Sequence, residues 1–310
     1  MKRKNEPIDV KDLQGTYPAI ITPMLCNGIN ANIDYSKFER LIDDLIKNKV
    51  DGILVAGTTG QSATLEHDEQ IGFISHAFDY INGRTRLIAS AGSNNTKEAL
   101  ELSKAIEDKI GPTTLLHVTG YYNNPPQEGL EAHYNLITDE INGNIIPYNV
   151  PSRTGSNIEA STAIKLSKNL KIIGIKEASG NMEQVETIIN NTDPENFRLL
   201  SGEDHLVAPI MQKGGYGVIS ASANVAPRYF VDITKSALSG DYETANQLQD
   251  EVNQLVKNAV FAAKNPIPLA HMFKTGLRLP LKKVEGLDSQ INEVLSKYTP
   301  AKLGVDLKRY

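Results

Sequence analysis

Short apolar runs and longer segments of mixed polarity take turns along the first three-quarters of the chain. Eight runs stand out, at residues 17–21, 52–56, 87–91, 114–118, 145–149, 172–176, 198–201 and 217–220. Several are nearly all apolar and rich in Ile, Val and Leu. Strands without polar alternation are covered on both faces, so the runs predict a parallel sheet. Between them the apolar positions repeat at helical spacing. Phe38, Leu41, Ile42, Leu45 and Ile46 make one buried helix face, with Asp34 as its N-cap. Glu66, Asp68 and Glu69 place acids in the first turn of the next helix, and Ser156 with Glu159 reads as a capping box opening another. Eight strand–helix units in about 225 residues predict a closed (β/α)8 barrel of the TIM type rather than an open doubly wound sheet. No G-x-G-x-x-G follows the first strand, which also argues against a dinucleotide fold. From about residue 240 the strand-like runs stop. Ala245, Leu248, Val252, Leu255 and Val256 recur with helical period, and Leu269, Met272, Leu277 and Ile291 continue an apolar helical tail. The expected organisation is a barrel over residues 1–240, with residues 1–13 as an extension before it, and a helical C-terminal domain over residues 241–310.

Composition narrows the functions this fold could carry. A formal net charge of −5 over 310 residues disfavours nucleic acid as a partner, because phosphate backbones demand clustered excess Lys and Arg. The one basic run, Lys2-Arg3-Lys4, reads as a solvated terminus. No apolar stretch has the length of a membrane span, and the start lacks the apolar core of a signal peptide. Cys26 is the single cysteine, so neither an internal disulfide nor a cysteine cluster for zinc is open to this chain. A cytoplasmic protein is expected. The six histidines show no ligand spacing such as HExxH, and no catalytic metal is expected.

In barrels of this class chemistry sits at the C-terminal ends of the strands. Lys176 closes the sixth run, in KIIGIKEASG. An amine buried beside apolar walls loses affinity for its proton and becomes nucleophilic near neutral pH; the alternative is a lysine that reaches out to water or pairs with a carboxylate. Strand alternation sends Glu177 to the opposite face, so it reads as structural. After the second run comes AGTTGQS, whose two glycines and the hydroxyls of Thr58 and Thr59 suit a carboxylate, or simply a tight turn. Tyr148 ends the fifth run as a candidate proton donor or acceptor. Arg153 follows it, either holding a carboxylate with its two-pronged guanidinium or lying on the surface. The loop after the fourth run, GYYNNPPQEG, pairs aromatics between glycine and prolines and suggests an interface or a lid. SGEDH at 201–205 reads as acids opening a helix rather than as ligands.

Taken together and in order, GTTGQSATL (57–65), YYNNPPQEG (121–129), YNVPSRTG (148–155), GIKEASGN (174–181) and GVISASANVAP (217–227) resemble the dihydrodipicolinate synthase family, a branch of the pyruvate-dependent class I aldolases that include N-acetylneuraminate lyase. The likeness runs from Gly15 to the helical tail. It implies that Lys176 forms an imine with pyruvate, that no other cofactor is used, and that L-aspartate 4-semialdehyde is the second substrate in lysine biosynthesis by the diaminopimelate route. It implies that Tyr148 shuttles protons, that Thr59 links it to Tyr122 donated across a dimer interface, and that Thr58 and Thr59 hold the pyruvate carboxylate. Arg153 would receive the semialdehyde carboxylate at the entrance, and the main-chain carbonyls of Gly202 and Ile219 would line the pocket. A homotetramer of two tight dimers is implied.

Many members of the family are inhibited by L-lysine at the dimer interface, and the matching positions are Ser62, Ala63, His67, Asn94, Glu98 and Tyr121. One departure bears on this, and two others fall on the active-site loops. Gln70 stands where feedback-sensitive members often have histidine, Gln61 where glutamate is usual, and Gly120 where proline commonly precedes the tyrosine pair. Two competing readings keep the same lysine. One is a sister aldolase acting on a sugar keto acid, disfavoured by the PSRTG arrangement; the other is a non-catalytic barrel that only binds a keto acid.

Overall fold

In the computed structural model, which describes residues 5–310, eight parallel strands form one sheet that closes on itself. They are β1 (Gly15–Pro18), β2 (Gly52–Val55), β3 (Arg86–Ser90), β4 (Thr114–Val118), β5 (Asn144–Asn149), β6 (Gly174–Glu177), β7 (Arg198–Ser201) and β8 (Gly217–Ser220). Each pairs in parallel with its neighbour, and β1 returns to pair with β8. The seam between β1 and β2 is closed by a bridge from Ala19 to Leu54, with Ile20 N–H donating to the Leu54 carbonyl at 3.0 Å. The expected (β/α)8 barrel is therefore present.

Around the sheet lie α1 (Tyr35–Lys47), α2 (His67–Ile81), α3 (Thr96–Ile110), α4 (Gln127–Glu140), α5 (Pro151–Thr154), α6 (Ala160–Leu166), α7 (Met182–Asn190), α8 (Val207–Gln212) and α9 (Pro227–Leu238). The tail adds α10 (Tyr242–Leu255), α11 (Ile267–Met272), α12 (Leu287–Leu295) and α13 (Pro300–Leu303). Asp34 caps α1 by accepting from Lys37 N–H. The capping box does not form. Helix α6 starts only at Ala160, with Glu159 as an N-cap that makes no side-chain bond. The preceding stretch is held to the barrel instead, since the Asn149 side chain accepts from Ile158 N–H at 2.9 Å.

Two apolar cores share the work. Inside the barrel Tyr17, Leu54, Ile88, Leu116, Ile146 and Leu200 interlock, capped below by Ile8 and Leu13. The segment before β1 is fastened there: Ile8 N–H donates to the Thr114 hydroxyl at 2.8 Å, and the Arg198 guanidinium donates to the Lys11 carbonyl at 2.7 Å. Residues 5–13 thus plug the N-terminal mouth; the basic run Lys2-Arg3-Lys4 lies outside the described residues. The second core fills the space between sheet and helices. Ala245, Val252 and Leu255 of α10 belong to it together with Phe38 and Phe230, so the tail continues the barrel's own packing. No helix among the described residues is long and apolar enough to cross a membrane.

Candidate active site

Tyr148 on β5 and Lys176 on β6 stand side by side in register, both turned into the barrel at the C-terminal end of the sheet. The Lys176 amine lies 4.0 Å from the centre of the Tyr148 ring, and only 6% of the lysine is exposed. Burial pulls its pKa down to about 8; Arg153 pulls the same way, while Asp204 and Glu203 hold it up. Burial pushes the Tyr148 phenol the other way, up to about 12, so at neutral pH it keeps its proton and can give one. The strand period separates Glu177 from this pair. Its carboxylate accepts from Ser179 N–H at 2.7 Å, the Asn149 amide at 2.9 Å and the Gln184 amide at 3.2 Å, away from the cavity.

Lys176 and Tyr148 open into a cavity of about 560 Å³, room for two small substrates. One wall is the loop after β2. Ala56 and Gln61 adopt left-handed backbone conformations (φ 56° and 57°) that fold it tightly, and Gly60 is pressed against Thr22 and Ile20. Among the described residues the N–H groups of Thr58 and Thr59 meet no protein acceptor, so both remain for an anion. Gln61 holds the loop from behind, donating to the Thr22 carbonyl at 3.2 Å and accepting from Arg278 N–H at 3.1 Å. The opposite side is formed by Gly202, Glu203 and Ile219. Gly202 is required by proximity, since a Cβ there would stand 2.7 Å from Ala178 and 3.1 Å from Cε of Lys176. Arg153 sits exposed on α5 at the mouth and donates to the Asn265 carbonyl at 3.1 Å.

The Thr59 hydroxyl accepts from the Asn265 amide at 2.9 Å, and Thr58 is near enough to Tyr148 to lower its pKa slightly against the rise from burial. Tyr122 lies outside this cavity, 93% exposed and with a left-handed backbone (φ 74°). The six positions matched to lysine inhibition fall on the loops after β2, β3 and β4 and on the first turns of α2 and α3. Asn94 donates to the Tyr121 carbonyl at 3.0 Å, and Ser93 donates to the Glu98 carboxylate at 2.7 Å. Ser62 is half-buried, and Ala63 and His67 are exposed. Gln70 is buried and tied to the Ser90 carbonyl at 2.8 Å.

Two groups of cavity residues were not singled out from the sequence. The first comes from the tail, where a π-helical turn, Val256–Val260, leads into Phe261, Lys264 and Asn265 over the cavity. The KNPIP stretch, a polar pair directly before two prolines in an apolar tail, was its only signal. The second is the acid pair after β7. The acids do precede a helix, but Asp204 is fully buried with one carboxylate oxygen accepting from Ser222 N–H at 2.7 Å, and Glu203 faces the cavity. Their place at a strand end was the available clue. Among the described residues no three His, Cys, Asp or Glu side chains gather as a metal would need.

The model of the dihydrodipicolinate synthetase family matches residues 12–285. The 4-hydroxy-tetrahydrodipicolinate synthase of Methanocaldococcus jannaschii is 43% identical over 267 residues, covering 86% of this chain and 88% of the relative. Among solved structures, the chloride-inhibited dihydrodipicolinate synthase of Acinetobacter baumannii complexed with pyruvate superposes with a TM-score of 0.87 at 34% identity, covering 92% of this chain and 98% of that one. A lysine-bound synthase of Cyanidioschyzon merolae does so with a TM-score of 0.86, at the same identity and coverage. With a family match spanning the barrel, and a buried lysine and tyrosine paired at its mouth, the chain belongs to the dihydrodipicolinate synthetase family.

Proposed function

We propose that Lys176 captures pyruvate as an imine and that the chain condenses it with L-aspartate 4-semialdehyde, the reaction of a 4-hydroxy-tetrahydrodipicolinate synthase, a lyase of lysine and diaminopimelate biosynthesis. The observation that carries this reading is the buried amine, lowered to about 8 and held against Tyr148 in a cavity with an anion-ready loop. The neutral amine adds to the keto carbon and water leaves. The protonated imine then draws electrons from the methyl group, which loses a proton to give an enamine. The enamine attacks the aldehyde, and the substrate's own amine closes the ring and releases the lysine. Because the imine is itself the electron sink, the reaction uses no metal and no organic cofactor.

Thr58 and Thr59 hold the pyruvate carboxylate through their N–H groups, Tyr148 supplies and recovers protons, and Arg153 takes the semialdehyde carboxylate. Tyr122 serves a neighbouring copy: a side chain held away from its own cavity suits donation across a dimer, and two such dimers make the homotetramer. Work in the cytoplasm fits one unpaired thiol per chain. L-lysine is the proposed effector at Ser62, Ala63, His67, Asn94, Glu98 and Tyr121, in line with the lysine-bound relative. Undiminished turnover in millimolar lysine would remove that assignment.

The reaction is tested by borohydride reduction with pyruvate followed by mass spectrometry. A reduced pyruvate adduct on Lys176, absent from Lys176→Ala, is expected. Turnover of pyruvate with aspartate semialdehyde, set against cleavage of N-acetylneuraminate, separates the synthase from a sister aldolase. No adduct in the parent protein would end the proposal.

A further inference from the structure

Among the described residues Glu203 has no Lys or Arg partner. It follows β7, where its backbone is pinned by Ser201: Glu203 N–H donates to the Ser201 hydroxyl at 3.1 Å, and that hydroxyl lies 2.9 Å from the Glu203 carbonyl. Its side chain is 29% exposed and lines the cavity that also holds Lys176 and Arg153. Among the described residues no Lys or Arg nitrogen comes within 4.0 Å of its carboxylate. The nearest basic atom is His205 Nδ1 at 3.5 Å, on the same turn. Lys176 is committed to the keto acid, and Arg153 is held at the mouth by the Asn265 carbonyl. Burial lowers the pKa of His205, so a half-buried carboxylate with only this ring beside it is costly in its charged form unless a ligand supplies the positive charge.

We infer that Glu203 binds the α-ammonium group of aspartate semialdehyde, opposite the Arg153 that takes the carboxylate, and removes one proton from it before ring closure. The inference rests on the reaction proposed above and deepens it. The ammonium cannot attack while fully protonated, so some group must take a proton inside the cavity. Burial, the neighbouring Asp204 and Glu177 raise the Glu203 carboxyl to about 7, while Lys176 and Arg153 lower it, which leaves it able both to bind a cation and to accept its proton. His205 on the same turn and Lys264 on the cavity wall are the other titratable groups around it.

The step balances. One ammonium proton moves to the Glu203 carboxylate, and the freed nitrogen pair forms a bond to the imine carbon. The bond from that carbon to Lys176 then breaks with its electron pair going to the lysine. The two protons left on the substrate nitrogen follow it, so the products are a cyclic imine, a lysine ammonium and a protonated Glu203.

The test is Glu203→Gln, which keeps shape and hydrogen bonding but cannot hold the cation or take the proton. Two aldehydes are compared: aspartate semialdehyde and succinate semialdehyde, the same four-carbon acid with hydrogen in place of the ammonium. Pyruvate trapping is read at pH 9, where the lysine is mostly neutral in either protein. We expect kcat/KM for aspartate semialdehyde to fall at least about 30-fold, as when a hydrogen bond between charged groups is lost. Carbon–carbon bond formation with succinate semialdehyde, followed by mass spectrometry of the reduced adduct, should change less than about 3-fold by the same scale. Glu203→Asp should recover part of the loss. Equal losses with both aldehydes, or no loss with either, would overturn the role of Glu203 alone. A parent protein that forms no pyruvate adduct would overturn the reaction itself, and this role with it.

Discussion

Replacing Lys176 by methionine should abolish catalysis and make the fold more stable. The amine is 6% exposed, and burial lowers its pKa from 10.5 to about 8. An unfolded chain keeps the lysine proton up to its ordinary pKa, whereas the folded chain gives it up two to three units sooner. Between those values the unfolded state binds more protons, so folding stability rises with pH across the window from about 8 to 10.5. At pH 7 the folded protein therefore carries a penalty of about 3 kcal/mol for holding this group charged, and at pH 9.5 only about 1.5 kcal/mol. The ammonium over the Tyr148 ring returns roughly 1 kcal/mol of that. Methionine has nearly the same length and no charge, so Lys176→Met should gain about 2 kcal/mol at pH 7, some 4 °C in melting temperature for a chain of this size. The assay is thermal unfolding of parent and variant at equal concentration across pH 6.5 to 10. The gap should hold level up to about pH 8 and narrow above it. A variant no more stable at pH 7, or a gap indifferent to pH, would refute the claim that desolvation tunes this amine.

Three further outcomes are expected. His117 is fully buried on β4 and held below its ordinary value, near 3, by burial and by His133. The unfolded chain protonates this ring below about pH 6.5, so stability should fall as pH drops below that value, by about 2 kcal/mol at pH 5; His117→Gln should flatten the slope in denaturant titrations. Asn265→Ala strips the Thr59 hydroxyl of its donor, and the KM for pyruvate should rise about 10-fold with the melting temperature little changed. Arg278 forks onto Glu69 and donates to the Ala31 carbonyl at 2.8 Å and the Thr64 carbonyl at 3.1 Å. Arg278→Met should cost about 3 kcal/mol in unfolding experiments because it leaves those partners unpaired.

The barrel was readable because each strand is buried on both faces, and such strands advertise themselves as unbroken Ile, Val and Leu. The run at 172–176 shows the limit of that signal. Ile172 only bridges to Ile145, and regular pairing begins at Gly174, because an apolar position is demanded by burial whether or not it is hydrogen-bonded as a strand. Lys176 and Tyr148 were legible as polar residues closing apolar strands. Asn265 was not, because it reaches the cavity from a tail whose path depends on packing between α10 and α9. Glu203 shows a different failure. An acid before a helix has a sufficient local explanation in the helix dipole, and nothing local reveals that its side chain also faces a buried amine.

That dependence on distant chain has a chemical consequence. The lysine is activated by dryness, and dryness is a property of walls. The strand ends form a ring open on one side, and Phe261, Lys264 and Asn265 of the tail stand over it. Arg278 and Gln61 fasten the same tail to the loop that carries Thr58 and Thr59. An amine with a pKa near 8 is neutral in about one molecule in four at pH 7.5, against about one in a thousand for a lysine in water. A barrel that folded without the tail would keep Lys176 at its strand end and lose much of that advantage to solvent. The residues beyond 240 are therefore part of what makes the lysine a nucleophile.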